Sequence, residues 1–407
     1  MNNVKEWNHE GMLPENVSFG EIKREIPSFS QDIHSLKYTH PVEYLSSIES
    51  FVSKELISSQ NFTEIKKLAS HFTENITSFF GFETRLNNLD ARSDYLFAVS
   101  SKKGEREALA RLLQDENISE SFKNQPEWQN VGKFAAAWVN QNSILYNKVL
   151  GLWLEFDTAS SPNEKPVPCV FISTVPIRID APKDIQKYAW LADTALPLLI
   201  GKPLSEKMKQ HLFDAIQHMP KDSLLFNVGV MLSRSSAGVR LVINRIQSTQ
   251  IISYLKSLSW TDEQGEGLKL IKELEQEVSR FVLHIGITED GIDPKIGIEC
   301  SFYPDRYNLE TRWSGFFDYL IKKGLCLPEK KEMLLGFLGV EQEDASHEFS
   351  LESYMTAVKL PEKNYSGALV RFISHVKICY KPSHPLEAKA YPGARLFGRP
   401  QTNTNYQ

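Results

Sequence analysis

The sequence predicts an α/β protein in which five ααββ repeats form one closed, ten-stranded antiparallel β-barrel with the helices outside. Three observations carry that expectation. Paired extended segments with period-two alternation, each pair bounded by turn residues, recur five times. Segments between them place apolar residues three and four apart, the spacing of one helix face. Along the hairpins one parity is apolar and the other polar, so one face meets the helices and the other faces inward.

In chain order, Ile65, Leu68, Phe72, Ile76 and Phe79 read as a helical face ahead of the first hairpin, Phe82–Leu86 with Tyr95–Val99. Leu109, Leu112 and Leu113, then Phe134 and Trp138, precede the second hairpin, Leu152–Phe156 and Cys169–Ser173, which a Pro-rich loop separates. Tyr188, Leu191 and Ala195, then Leu204, Met208, Leu212, Ala215 and Met219, precede the third, Phe226–Leu232 and Val239–Arg245. Leu255 and Leu258, with Leu268, Ile271, Leu274 and Val278, lead to the fourth, Phe281–Ile287 and Lys295–Tyr303. Its turn holds Asp290-Gly291, where glycine supplies the positive φ that tight hairpins require. Trp313, Phe316, Leu320, Met333, Leu334 and Phe337 lead to the fifth, His375–Tyr380 and Glu387–Tyr391. The polar stretch from Val340 to Ser350 reads as a loop. The repeat spacing, roughly 60 to 85 residues, exceeds that of helical solenoids and propellers.

An open sheet of ten strands would leave two edges unpaired and one face bare, whereas closure removes both defects. Parity puts Phe226, Val228, Val230, Leu232, Phe281, Leu283, Ile285 and Ile287 toward the helices. Facing inward are Asn227, Met231, Arg240, Asn244, His284, Thr288, Lys295, Glu299, Ser301, Tyr303, His375, Lys377, Cys379, Lys389 and Tyr391, joined by Trp153, Glu155 and Phe171. A barrel of this strand number is wider than side chains alone fill, so a polar, aromatic and moderately cationic lumen is expected.

With 407 residues, 41% hydrophobic and 24% charged, the chain has globular proportions. The domain reading is an N-terminal extension with helices over 1–60, one barrel domain over 61–395 and a flexible tail over 396–407. The formal charge of −5, with dispersed Lys and Arg, argues against a nucleic-acid partner. The first residues hold no apolar signal core and no segment approaches the ~18 apolar residues of a membrane span, so a soluble, cytoplasmic protein is expected. Cys169, Cys300, Cys326 and Cys379 stand singly, without zinc spacing, and read as reduced core residues. Oligomeric state is not readable.

No phosphate-binding loop, dinucleotide fingerprint, HExxH, nucleophile elbow or Asp-rich magnesium motif occurs. A lone Glu299 or His284 is more often a satisfied buried polar group than a catalyst, but several such groups sharing one lumen point to a binding site. The alternative readings of the lumen are a non-catalytic protein that holds a hydrophobic ligand or peptide, or another transfer or cyclisation reaction on the same scaffold.

Over about residues 62 to 392, this five-fold repeat resembles the ABBA aromatic prenyltransferases, which include the dimethylallyltryptophan synthase group. Lys389-Ala-Tyr391 is similar to that family's K-x-Y strand pairs, and Gly81-Phe-Glu83-Thr-Arg-Leu-Asn87 resembles the segment bearing its acceptor-anchoring glutamate. The resemblance implies a transferase of secondary metabolism that moves an allylic prenyl group from a prenyl diphosphate to an aromatic or peptide acceptor, with no required cofactor and no essential Mg2+. It implies diphosphate-binding roles for Arg240, Lys295, Tyr303, Lys377, Lys389 and Tyr391, and acceptor roles for Glu83 or Glu155. Trp153, Phe171, His284, Glu299 and His375 would line the lumen and shield the cation. The chain departs from the family in lacking an R-x-K-x-Y strand and in having few cations on its second and third hairpins.

Overall fold

The computed structural model describes residues 40–102, 104–115, 124–158, 167–175, 185–234, 238–262, 265–342 and 367–398. Residues 1–39 and 399–407, most of the Pro-rich loop and residues 343–366 lie outside the described residues. Among the described residues, eleven strands form one sheet: β1 (Phe79–Arg85), β2 (Ser93–Ser100), β3 (Val149–Phe156), β4 (Cys169–Thr174), β5 (Leu224–Val230), β6 (Val239–Asn244), β7 (Arg280–Thr288), β8 (Gly291–Ser301), β9 (Gly339–Gln342), β10 (Gly367–Tyr380) and β11 (Glu387–Gly398). Each of β1 to β8 pairs antiparallel with its sequence neighbour, β8 pairs with β10, β10 with β11, and β11 with β1. Ten strands therefore close on themselves. β9 lies beside the front half of β10, with Leu369 opposite Glu341. The residues 340–342, read from sequence as loop, are thus strand, because the front of β10 extends past the part that pairs β8 and leaves an edge to fill.

Helices cover the outside. They include α1 (Pro41–Ile48), α2 (Ser59–Ala69), α3 (Glu105–Gln114), α4 (Pro126–Val139), α5 (Ile144–Lys148), α6 (Leu196–Ile200), α7 (Glu206–Gln217), α8 (Ser248–Ser257), α9 (Glu266–Leu274), α10 (Arg312–Lys322) and α11 (Pro328–Phe337). Local chemistry sets several of their starts. Ser58 and Ser205 accept from the backbone N–H three residues on, and proline opens α1, α4 and α11, where its missing N–H costs nothing. α2 stops at Ala69, so Phe72 and Ile76 are loop residues and Phe79 begins β1, contrary to the helical reading. None of the described helices is long and apolar enough to cross a membrane.

The main core lies between the helices and the outward parity of the sheet. Phe80, Phe82, Tyr95, Phe97, Leu152, Leu154 and Phe156 are buried there, with Tyr44 of α1 stacked on Phe80 and Phe72 edge-on to Phe97. Burying each such ring contributes about 1.5 to 3 kcal/mol relative to exposure. Leu283, Ile285 and Ile287 belong to this layer as expected. A second, smaller cluster sits inside the barrel: Cys169, Phe171, Met231, Val242 and Val282, with Trp153 and Phe226 against it. Phe226 thus packs inward rather than toward the helices, because a register shift between Leu225 and Asn227 breaks the alternation that parity assumes.

Candidate active site

The polar interior is built where β10, β11 and β1 meet. Lys377 of β10 and Lys389 of β11 are register partners, and β11 pairs on its other side with β1, which carries Glu83. Like charges directly opposite one another destabilise a ladder. Here an anion relieves them. The Glu83 carboxylate accepts from Lys377 Nζ at 3.2 Å, from Lys389 Nζ and from the Tyr391 hydroxyl. Burial opposes the charge on Glu83, but Lys377, Lys389 and these hydrogen bonds outweigh it and hold the carboxyl well below its usual range. Burial opposes the Lys377 ammonium likewise, and Glu83 more than compensates, raising it. The Tyr391 phenol is pushed well above its ordinary value by burial and by Glu83, so it remains a donor.

A second cluster joins the first through Tyr391 and through Lys377, the register partner of Glu299. His284 Nε2 stands 2.5 Å from Glu299 Oε1, and His375 Nε2 stands 3.5 Å from the same oxygen. The His375 ring stacks on Tyr391, and Lys377 Nζ lies 4.6 Å from the Tyr391 ring centroid. Burial disfavours charge on all three groups. It lowers His284 and takes His375 down to about 4, while the imidazoles and the His284 hydrogen bond hold Glu299 below the carboxylate range. At neutral pH the arrangement is an ionised Glu299 that accepts from His284 Nε2–H, leaving His284 Nδ1 as a buried acceptor with no partner.

Two further carboxylates face this region from β2 and β3. Asp94 is the register partner of Glu83, and Glu155 lies opposite Leu96 on the far side of β2. Burial raises Asp94 to about 6, with Glu83 adding to the effect. Burial raises Glu155 to about 7, opposed by Lys377 and Arg240 and reinforced by Glu83. Glu155 can therefore hold or release a proton near neutrality. At that end of the barrel Arg234 grips Asp157 with two hydrogen bonds of 2.8 and 3.1 Å.

Aromatic rings line the middle and the opposite end. Phe79 meets Trp153 edge-on at 4.8 Å, Phe372 at 5.7 Å, and Phe372 meets Tyr307 at 5.2 Å. Phe171 presses on the Gly229 backbone, where a Cβ would come within 2.4 Å of its ring. Cations are attracted to such faces by about 0.5 to 2 kcal/mol each.

The structure thus brings Glu83, Lys377, Lys389, Tyr391, His284, Glu299 and His375 into one network, with Glu155, Trp153, Phe171 and Arg240 on the same interior face. It does not bring Lys295 and Tyr303 there. Lys295 lies near the start of β8, 41% exposed, and pairs with Glu387 across the barrel rim. Tyr303 lies past the other end of the same strand, eight residues on, about 25 Å away at roughly 3.3 Å per residue. Asp94, Phe372 and Tyr307 went unread in sequence, and Phe79 reads there as helical. The alternation Phe79-Gly81-Glu83-Arg85 would have extended β1 back to Phe79, but no such signal marks Tyr307, which sits in a 3-10 turn.

Neither a protein-family model nor a curated protein sequence matches the chain. Solved structures do. The apo form of the prenyltransferase PriB matches with a TM-score of 0.51 at 10% identity, covering 89% of this chain and 98% of that one. The fold is that of the ABBA prenyltransferases. The PriB complex with product diphosphate matches with a TM-score of 0.50 at 10% identity, over 89% and 99% of the two chains. The 5-dimethylallyltryptophan synthase from Streptomyces coelicolor matches at 0.46 and 10%, over 86% and 94%. At such identity the ABBA likeness concerns architecture, and the chemistry rests on the side chains described above.

Proposed function

We propose that this ABBA barrel transfers an allylic prenyl group from a prenyl diphosphate to an aromatic or other nucleophilic acceptor, a small molecule or a peptide side chain, without needing a metal ion. The reading rests most on one observation: Lys377, Lys389 and the Tyr391 hydroxyl converge at one point of an interior that Trp153, Phe79 and Phe171 also line, on a fold shared with a protein that binds product diphosphate. In this reading Lys377, Lys389, Tyr391 and Arg240 hold the donor diphosphate, their charges and hydrogen bonds stabilising the anion as it leaves. The allylic C–O bond breaks, its electron pair stays with the diphosphate, and Trp153, Phe171 and the Phe79 ring shield the cation. The acceptor nucleophile attacks that cation and loses a proton to Glu155, whose environment tunes it near neutrality. Glu83 helps to orient the acceptor, while His284, Glu299 and His375 form the wall behind Tyr391. Lys295 and Tyr303, at the two ends of the barrel, would act only as the substrate enters or leaves. The reaction would belong to cytoplasmic secondary metabolism.

A second reading has its own support. Lys377 and Lys389 are already partly neutralised by Glu83, and the inner cluster of Cys169, Phe171, Met231, Val242 and Val282 is apolar, as a barrel that merely holds a hydrophobic ligand would be. Incubation with dimethylallyl, geranyl and farnesyl diphosphates and with tryptophan, tyrosine or a peptide, with and without magnesium and a chelator, separates the two. Prenylated product that persists in chelator supports the transferase. Binding of the prenyl chain with no diphosphate release in any combination supports the holding protein.

A further inference from the structure

We infer that Lys377, Lys389 and Tyr391 form an anion cradle which the free protein fills with its own Glu83 carboxylate, so that an incoming diphosphate must displace Glu83 to bind. The inference builds on the reading that this cluster takes the donor's diphosphate, and concerns how access to that site is regulated.

The cradle has the chemistry of a phosphate site. Two ammonium groups and a phenol, on the two adjacent strands β10 and β11, aim at one buried oxyanion, and all three donate to it. The two lysines are register partners, so the cradle is unstable without an anion between them. The anion present is supplied from a third strand, β1, through a side chain with three rotatable bonds. Rotation about those bonds takes the carboxylate out of the cradle while the β1 backbone stays in its ladder. A diphosphate offers more oxygens and more charge than one carboxylate, which is what lets it compete. With Glu83 in place it meets lysines already partly neutralised, and Asp94, Glu155 and Glu299 add negative charge nearby, with Arg240 on the other side of the balance.

This makes an unusual demand on mutagenesis, because removing a charged residue from the site should strengthen anion binding. The probe is inorganic pyrophosphate, titrated calorimetrically into the whole chain, with melting curves run in parallel. Glu83→Gln should bind pyrophosphate about ten-fold or more tighter than wild type, since the competing charge is gone and two buried ammonium groups lack a partner. Its melting point should fall in plain buffer and recover on adding pyrophosphate, while wild type responds little. Adding Lys389→Met to Glu83→Gln should remove the gain. Should Glu83→Gln fail to fold, Glu83→Asp, too short to reach all three donors, should show a smaller gain in the same direction. Equal or weaker binding in the folded variants, no binding to any of them, or a gain that survives Lys389→Met would overturn the inference. Tighter pyrophosphate binding without prenyl transfer from any donor would leave the cradle standing and remove the transferase reading.

Discussion

The Tyr391 ring lies on the His375 ring with centroids 4.1 Å apart and planes inclined by 22°, and this contact, with Lys377 opposite Glu299 in the β8–β10 ladder, joins the two polar clusters. On one side Tyr391 donates to Glu83; on the other, His375 faces Glu299. Tyr391→Phe keeps the stack and deletes only the donor to a buried carboxylate. It should destabilise the fold by about 1.5 to 3 kcal/mol, the range for hydrogen bonds to charged groups. Tyr391→Leu should lose roughly 0.5 to 1.5 kcal/mol more with the ring. Urea denaturation measures both, and a Phe variant as stable as wild type would show that the hydroxyl contributes nothing.

Gly229 lies under Phe171, so Gly229→Ala forces the ring to move by more than an ångström or the strand to shift. Overpacking of this kind costs about 1 to 3 kcal/mol. The variant's melting point should fall, and Phe171→Leu in the same chain should restore much of the loss. If the alanine variant melts with wild type, Phe171 is not held against the strand.

Glu155 gives the interior a pH dependence of definite sign. Its folded pKa, about 7, exceeds the unfolded value of 4.5, so the folded state binds more protons between those values and stability falls as pH rises through them. The span corresponds to at most about 3 kcal/mol. Glu155→Gln cannot ionise. Its stability relative to wild type should therefore improve progressively from about pH 5 to pH 7, and a pH-independent difference would contradict the assignment.

His375 acts in the opposite sense. Burial lowers its folded pKa to about 4, below the ordinary 6.5, so the unfolded state binds the extra proton and stability is lost as pH falls through that interval. His375→Gln should flatten the acid limb of the stability profile. NMR titration of labelled histidine should find the His375 ring neutral at pH 5.5, and a ring that titrates near 6.5 would refute its burial.

Arg240 faces the same interior from β6, opposite Gly286, and among the described residues it forms no ion pair or hydrogen bond. Arg240→Gln should leave the melting point within about half a kcal/mol of wild type in stability. It should weaken pyrophosphate binding by about ten-fold or more, as expected for one charge in a partly desolvated site. Calorimetry and melting curves distinguish this from a structural role, which would move both.

The barrel was legible because its evidence is periodic. Alternation in Phe281–Ile287 and the Asp290-Gly291 turn follow from local sterics, and the observed turn puts Gly291 at φ 113° as that chemistry requires. Interior placement of Lys377, Lys389, His284 and Glu299 followed from parity alone. Parity failed where the period breaks, at the bulge that turns Phe226 inward and at the front of β1, where Phe79 continues a helical spacing by coincidence. The internal pairing of Glu83 had no sequence signal at all, since it depends on which strands become neighbours when the sheet closes. Spacing in the chain says nothing about that.

Closure by the outermost hairpins has a temporal consequence. Glu83 and Lys377 are separated by 294 positions along the chain, and β1 finds its second neighbour only when β11 has been made. During synthesis the ribosome therefore releases a glutamate destined for burial long before its counter-ions exist, and until then it must remain in water. The nascent sheet waits with an open edge, and β1 cannot seal until the last hairpin emerges. Contacts of such long range make for slow maturation, in which chaperones that shield exposed strand edges would have their longest engagement.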